Sequence, residues 1–516
     1  MLARMKRSAE SRAPEEPRKM ELLPDGSIKV YKRRWAVLAS LALSYFGWNL
    51  SISRQVPLSP TYAKYFDVPN QAYSRDADNN LVLGIDFLAT FDAIVLICAY
   101  LFAAFSVSRW GLRMLKVGSF FLAFSAWMWY VADDSYFGVL GARTISSIFG
   151  PCVSSSLLMV SNVWFPESER AKATAITALL SLLGTGASLI VGPMLATSDF
   201  KVVDLSLRSC NVDQIQADLL NAYNAAQLAG EPLSCEIEEY EYAEEEFCCY
   251  LPVNLRLLDL IMSLFTTLVF LITLVSVKDH PPTLPSPSAS RPAHTSIKTG
   301  LSLLFSNRRF VQLALSDFII SGPIQVVYYA MARMFPPEVS NLTFVASAGG
   351  IALAIPTALV AAHLLDKRSW YYSITVTGYT SGTAMWILAT IAYATDASWL
   401  FLVGIVLALM LFIAWQTAVY ETKLEYVFTH EHSLESYVMS TDRMIFQISK
   451  FIFVSTLAPE VAGGALNSYA IGCGVMVVGC LPVLLIRDRY TYLRQEYDHG
   501  TADPEVKNAH ADRVSP

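Results

Sequence analysis

Apolar runs of about twenty residues recur some twelve times along this chain, set apart by short polar segments, and one long Pro-rich interruption divides them six and six. A helix needs roughly 20 mostly apolar residues to cross about 30 Å of hydrocarbon. In lipid, backbone N–H and C=O groups find partners only within helices or closed barrels, and the strict alternation of barrel strands is missing from this sequence. The runs predict spanning helices at about 35–57, 83–107, 113–132, 137–163, 171–196 and 252–277, then at 310–332, 343–365, 370–393, 399–422, 437–458 and 463–486. The expected fold class is an all-α membrane protein with two six-helix bundles, residues 35–277 and 310–486. Such twin halves are what parallel transporter repeats look like.

The punctuation between the runs sets the remaining organisation. Residues 278–309 join the halves, and the stretch Pro281-Pro282-Thr283-Leu284-Pro285-Ser286-Pro287 within them reads as a flexible or extended linker. Residues 1–34 and 487–516 read as polar tails, and 198–251 as a polar insertion ahead of the sixth helix. Lys and Arg placement sets the orientation. Lys32, Arg33 and Arg34, then Arg109, Arg113 and Lys116, Arg170 and Lys172, Lys278, Arg308 and Arg309, and Lys367 and Arg368 all fall on one side, as does Arg487. Both termini are therefore expected in the cytoplasm, with the plasma membrane as the default address. The first 30 residues contain no apolar h-region, so the first helix is expected to start insertion itself.

Composition adds detail to this picture. Only 16% of the 516 residues are charged and 54% are hydrophobic, against about 25% charged in an ordinary soluble chain. The formal net charge of -6 conceals an asymmetry, because the 198–251 insertion is strongly acidic, as at Glu236, Glu238, Glu239 and Glu244. That run could steer cations or simply be a solvated outside loop. It also holds Cys210, Cys235, Cys248 and Cys249, disulfide candidates in an oxidising exterior whose three possible pairings stay open. Cys98, Cys152, Cys473 and Cys480 lie within apolar runs and read as packing residues. Asn341-Leu342-Thr343 is a glycosylation sequon on an expected outside loop. No Walker motif is present, which argues against ATP-driven pumping. The helices carry no clustered His or Cys, so neither an enzyme nor a metal site is expected. No cofactor and no nucleic-acid partner is expected either; the partners are the lipid bilayer and a small-molecule substrate, for a monomer.

Charges inside the runs are the candidate chemistry. An embedded charge costs roughly 2.5–3.5 kcal/mol on insertion scales, so it faces a wet cavity or a partner. Arg54, Asp92 and Arg143 fall in the outer half of the first bundle, where they could form one ionic cluster, whether a structural lock or a substrate contact. Asp317 lies towards the cytoplasmic side of helix seven, and Glu421 at the end of helix ten. Asp442, Arg443 and Lys450 share helix eleven, the last two seven residues apart and on one face. A helix with three charges should line the interface between halves, where an embedded Asp could carry a coupled proton and a central Lys450 could attract an anion. Gly184, Gly186, Gly192 and Pro193 suggest close contact or a hinge in helix five. Gly322-Pro323 is expected to break or bend helix seven.

Matching loops in the two halves bring in a family. Ser108-Arg109-Trp110-Gly111-Leu112-Arg113 follows the second helix, and Leu365-Asp366-Lys367-Arg368 follows the eighth. Both resemble the loop signature of the major facilitator superfamily, in which an acid, basic residues and a Gly turn lock neighbouring helices. The first copy has Ser108 in place of the acid, and the second lacks the Gly. By this resemblance Arg109, Gly111, Arg113, Asp366 and Lys367 are gating-loop residues. Further stretches resemble the feline leukaemia virus subgroup C receptor-related family within it: Tyr31-Lys32-Arg33-Arg34-Trp35, Gly84-Ile85-Asp86-Phe87, Trp164-Phe165-Pro166, and Tyr420-Glu421 with Glu425 and Glu431-His432-Ser433-Leu434-Glu435-Ser436.

The resemblance implies the major facilitator fold and a transporter of choline or ethanolamine, or one related to haem export. The family's choline-type site is an aromatic cage with glutamines. Trp48 and Gln447 match two of its positions, while Leu182 and Gln325 depart from it, with Tyr328 and Tyr329 near enough to supply aromatic faces. Trp415 and Tyr420 lie on helix ten, which with helices one and seven lines the cavity in this superfamily. Trp and Tyr faces attract quaternary ammonium groups. The expected activity is movement of a small organic solute by alternating access. The alternatives are a proton-coupled organic-anion symporter, suggested by Arg54, Arg143, Arg443 and Lys450, and a non-transporting sensor on a transporter fold.

Overall fold

The computed structural model describes residues 31–54, 58, 62, 66, 73–75, 81–83, 85–132, 135–196, 255–283, 285–286, 289, 295–329, 335–336, 339, 342–368, 370–429, 432–457 and 464–486. The acidic insertion with its four cysteines, the Asn341 sequon and most of both tails lie outside the described residues. The first half contains α1 (Arg33–Ser53), α2 (Ile85–Trp110), α3 (Arg113–Val131), α4 (Tyr136–Ser155), α5 (Leu157–Trp164), α6 (Glu167–Ala196) and α7 (Leu255–Ser276). The connecting helix α8 (Ile297–Ser306) leads to α9 (Arg308–Tyr329), α10 (Thr343–Arg368), α11 (Tyr371–Ala394), α12 (Ser398–Tyr426), α13 (Glu435–Leu457) and α14 (Ala465–Leu484). Ten helices among the described residues are long and apolar enough to cross a membrane. The 24-residue α11 and the 23-residue α13 complete the set but are more polar, through Thr and Ser in the first and charges in the second.

Local chemistry explains where the helices depart from the expected runs. The 137–163 run is broken at Ser156, which separates α4 from α5. There the Ser156 hydroxyl bonds back to Cys152 O at 2.7 Å while its N–H turns to Val153 O at 3.2 Å, and the two helices still form one span, Tyr136–Trp164. The expected break at Gly322-Pro323 does not occur. α9 runs through Pro323, and Gly322 instead makes room for the ring of Phe453 on α13. The linker is not wholly extended, because Ser296 caps α8 by accepting from Thr299 N at 3.1 Å. A short antiparallel hairpin, β1 (Tyr73–Arg75) with β2 (Leu81–Leu83), lies between α1 and α2. Cys152 and Cys480 are buried as expected, whereas Cys98 is exposed.

Packing produces two matched halves. α1 lies against α6 and α7, and α3 against α4 and α7; in the second half α12 lies against α10 and α11, and α9 against α13 and α14. Gly184 of α6 lies against the backbone carbonyl of Phe46 on α1, so no side chain fits between these helices. Between the halves, α2 packs on α13 and α6 on α10. The second helix of each half thus meets the fifth helix of the other, as a two-fold relation between repeats requires. One apolar cluster crosses this boundary, joining Tyr100, Val107 and Leu157 to Tyr420, Leu424 and Tyr437.

Candidate functional site

Between the halves lies a cavity of about 210 Å³. α1 contributes Tyr45, Trp48 and Asn49, α2 contributes Asp92 and Tyr100, and α6 contributes Ser181, Leu182 and Thr185. Across from them α9 places Asp317, Gln325 and Tyr328, and α12 places Trp415 and Gln416. α13 supplies Asp442, Arg443, Gln447 and Lys450. Residues 443, 447 and 450 follow the i, i+4, i+7 rule, so one stripe of this helix faces the cavity. The charged residues of helix eleven thus line the space between the halves.

Trp48 is 4% exposed and stacks on Tyr45 with ring centroids 5.8 Å apart at 21°. Its other support is Gly150 of α4, whose missing Cβ leaves the space the indole fills. Gly150→Val is expected to push the indole towards the cavity at a cost of about 1–3 kcal/mol. The checks are a shifted tryptophan emission and reduced solute uptake; unchanged emission would mean that Gly150 does not hold the ring. Trp415 is held between Gly378 and the Tyr379 ring, 3.9 Å away centroid to centroid. Tyr420 is not a cavity-lining residue: it is 1% exposed and lies beneath Arg443, whose guanidinium carbon is 5.3 Å from its ring centre. The side chain of Tyr329 lies outside what the structure describes.

The embedded acids and bases pair more finely than a single cluster. Arg54 bonds to Asp259 of α7 and sits 4.1 Å from the centre of the Trp129 ring. Arg143 bonds separately to Asp92 at 3.3 Å and to Ile52 O at 3.2 Å. Ser147 donates to the other oxygen of Asp92. The expected Arg54, Asp92 and Arg143 cluster is therefore two ion pairs, because an unanticipated acid, Asp259, claims Arg54. Asp317 and Asp442 share one cation, Lys423 of α12, and Asp317 also accepts from the Tyr379 hydroxyl. Lys423 is 0% exposed, while both its carboxylates reach the cavity. It escapes sequence reading because the apolar run ends near residue 422, whereas α12 continues to Tyr426.

At the end bearing the basic loops the halves are bonded together. Asn162 donates to Glu435 at 2.8 Å, Thr174 to Glu421 at 2.6 Å, and the Ser155 and Ser440 hydroxyls are 2.7 Å apart. Asp366 accepts from the backbone N–H groups of Ala171 and Lys172 at 3.0 and 3.3 Å, with the Lys172 ammonium 3.7 Å away. Glu421 therefore belongs to this seal rather than to the cavity. Of the loop residues, Gly111 adopts φ +62°, a turn that favours glycine, and Arg113 pairs with Asp279 at 2.8 Å. Arg109 and Lys367 are exposed. Glu421→Gln exchanges a charge-assisted bond of about 1.5–3 kcal/mol for a neutral one of about 0.5–1.5 kcal/mol. Faster hydrogen–deuterium exchange of the amides of residues 435–442 is expected; exchange unchanged from the parent would remove Glu421 from the seal.

Among the described residues no group of three or more His, Cys, Asp or Glu is placed to hold a metal. No family model matches the chain. Over 193 residues, 36% of this chain, it is 27% identical to a Solute carrier family 49 member 4 homolog of Xenopus tropicalis, covering 40% of that protein. It is 33% identical over 76 residues to the Xenopus laevis homolog, 15% of this chain and 17% of that one. The chain thus spans well under half the length of these curated relatives. Among solved structures, it aligns with the proton:xylose symporter XylE at 14% identity and TM-score 0.60, covering 90% of this chain and 99% of that one. The E. coli fucose:proton symporter FucP aligns at 14% and 0.56 over 88% and 98%. The human organic anion transporter MFSD10 aligns at 14% and 0.52 over 87% and 99%. These likenesses show the major facilitator fold.

Proposed function

We propose that this chain, a multi-pass membrane protein with the major facilitator fold, is a transporter that moves a small organic solute by alternating access. The observation that carries this reading is a cavity lined jointly by both halves and lying above a seal made between them. With the basic end in the cytoplasm, the seal lies on the cytoplasmic side of the cavity, and an inward-open state would require breaking it. The partial likeness to solute carrier family 49 homologs supports the same reading. A volume near 210 Å³ favours a small metabolite, since pockets for drug-sized ligands run to roughly 300–1,000 Å³. That size weighs against haem. Choline is disfavoured by Arg443 and Lys450, which face the same space as Trp48.

The test is counterflow of radiolabelled metabolites in proteoliposomes, with Trp48→Ala as the control. Accumulation in the parent and a loss of about tenfold or more in the variant is expected, from the aromatic contact and buried area removed. A parent that never exceeds empty vesicles for any solute would favour a sensor on a transporter fold.

A second reading, proton coupling, is favoured by Asp317 and Asp442. Two carboxylates share one ammonium and both reach the cavity, so a proton on either leaves Lys423 paired with the other. The proton-symporter neighbours agree with it. An imposed proton gradient should then drive uptake, and Asp442→Asn should uncouple it; equal uptake with and without the gradient removes this reading.

A further inference from the structure

The embedded arginines of the described spans differ in one respect. Arg54 has Asp259 and Arg143 has Asp92. Arg443 has no carboxylate within ion-pair distance among the described residues, and its contacts are two aromatic faces, Tyr420 at 5.3 Å and Phe446 at 5.7 Å. Its neighbour Asp442 is engaged by Lys423. A guanidinium offers five donors and keeps its charge, and burying it without acceptors is costly unless something else supplies them.

Several polar atoms beside it are unmet as well. The Nε of Arg443, the indole N–H of Trp48 and the indole N–H of Trp415 are buried without a hydrogen-bond partner, and all three residues line the cavity. Gln447, one turn from Arg443, also has an unsatisfied Oε1, and the hydroxyl of Tyr420 beside Arg443 is likewise buried without a partner. Three unmet N–H donors thus belong to cavity-lining residues, beside a cation whose guanidinium carbon lies 5.3 and 5.7 Å from two ring centres. We infer that the cavity binds the anionic oxygen group of its solute, a carboxylate or a phosphate, on Arg443, with the solute's apolar body against the Trp48 and Trp415 side. This rests on the transporter reading only for the word solute; the anion site stands on its own geometry. Arg suits this role because its planar fork takes two oxygens at once, and the Tyr420 and Phe446 rings lie beside it.

The full-length protein in nanodiscs would be titrated with four probes that share one ring: benzoate, phenyl phosphate, benzyl alcohol and benzyltrimethylammonium, read by tryptophan quenching. One of the two anions should bind on the order of 10–100-fold more tightly than the alcohol, and which one identifies the oxygen group. Arg443→Gln should erase that preference while leaving alcohol binding in place, which also shows that the variant is folded. Arg443→Lys should keep the charge but lose most of the preference. Tightest binding of the ammonium probe, equal binding of all four, binding of none, or an anion preference that survives Arg443→Gln would each overturn the proposal. Anion binding by a protein that shows no counterflow would instead retain the site and overturn the transporter reading.

Discussion

Lys423→Met is expected to abolish transport and to weaken the fold. The parent side chain is fully buried and bonds to Asp317 and Asp442, on α9 and α13. Removing it leaves two carboxylates facing a shared vacancy. Two such groups cannot both stay ionised at close range, so one must take a proton or the helices must part. Removing one member of a buried ionic set costs about 3–5 kcal/mol, on the order of 100-fold or more in the population of the working state. Uptake in proteoliposomes measures the first effect and the thermal midpoint in detergent the second. Adding Asp442→Asn to Lys423→Met should return most of the stability, because one negative charge has gone with the positive one, but not the transport. Full uptake by Lys423→Met alone would show that the triad has no part in the cycle.

Asp259→Ala should be the strongest purely structural lesion. The side chains of Arg54 and Asp259 are 3% and 2% exposed and tie the end of α1 to α7. Taking the carboxylate away removes the charged partner of a buried guanidinium beside Trp129, at a cost of about 3–5 kcal/mol. A fall in thermal midpoint on the order of 10 °C is expected. Replacing both partners, Arg54→Met with Asp259→Leu, should regain most of it, since a buried pair exchanged for apolar side chains is often close to neutral. A single variant as stable as the parent would mean that this pair carries little of the first half's stability.

These two lesions also mark what the sequence made legible. The helices were readable because lipid imposes their length and apolarity on the chain itself, and predicted and observed ends differ by a few residues, as at 113–132 against Arg113–Val131. Trp48, Gln325 and Gln447 entered through the family resemblance and the stripe of α13 through the charges inside its apolar run, and all of them line the cavity. Pairing was not readable. Asp259 is unremarkable until α7 lies beside α1, and Lys423 looks like the polar end of a helix until α12 proves four residues longer. The break at Pro323 does not occur, and the glycine before it makes room for a neighbour's ring. The Ser156 break was hidden because serines bonding back to their own helix keep the run apolar enough to look continuous.

α13 has a mechanical implication. It contains neither Gly nor Pro from Glu435 to Leu457. It holds Glu435 and Ser440 in the seal and Arg443, Gln447 and Lys450 at the cavity. The twelve helical steps from Glu435 to Gln447 span about 18 Å of stiff rod. A tilt of about 10° pivoting near Gln447 displaces the far tip by roughly 3 Å, about the length of the contacts Asn162 and Ser155 make with it. On the proposed reading, what grips the cargo and what bars its exit are two ends of one lever, and a bound ligand would act on the bar directly through this helix.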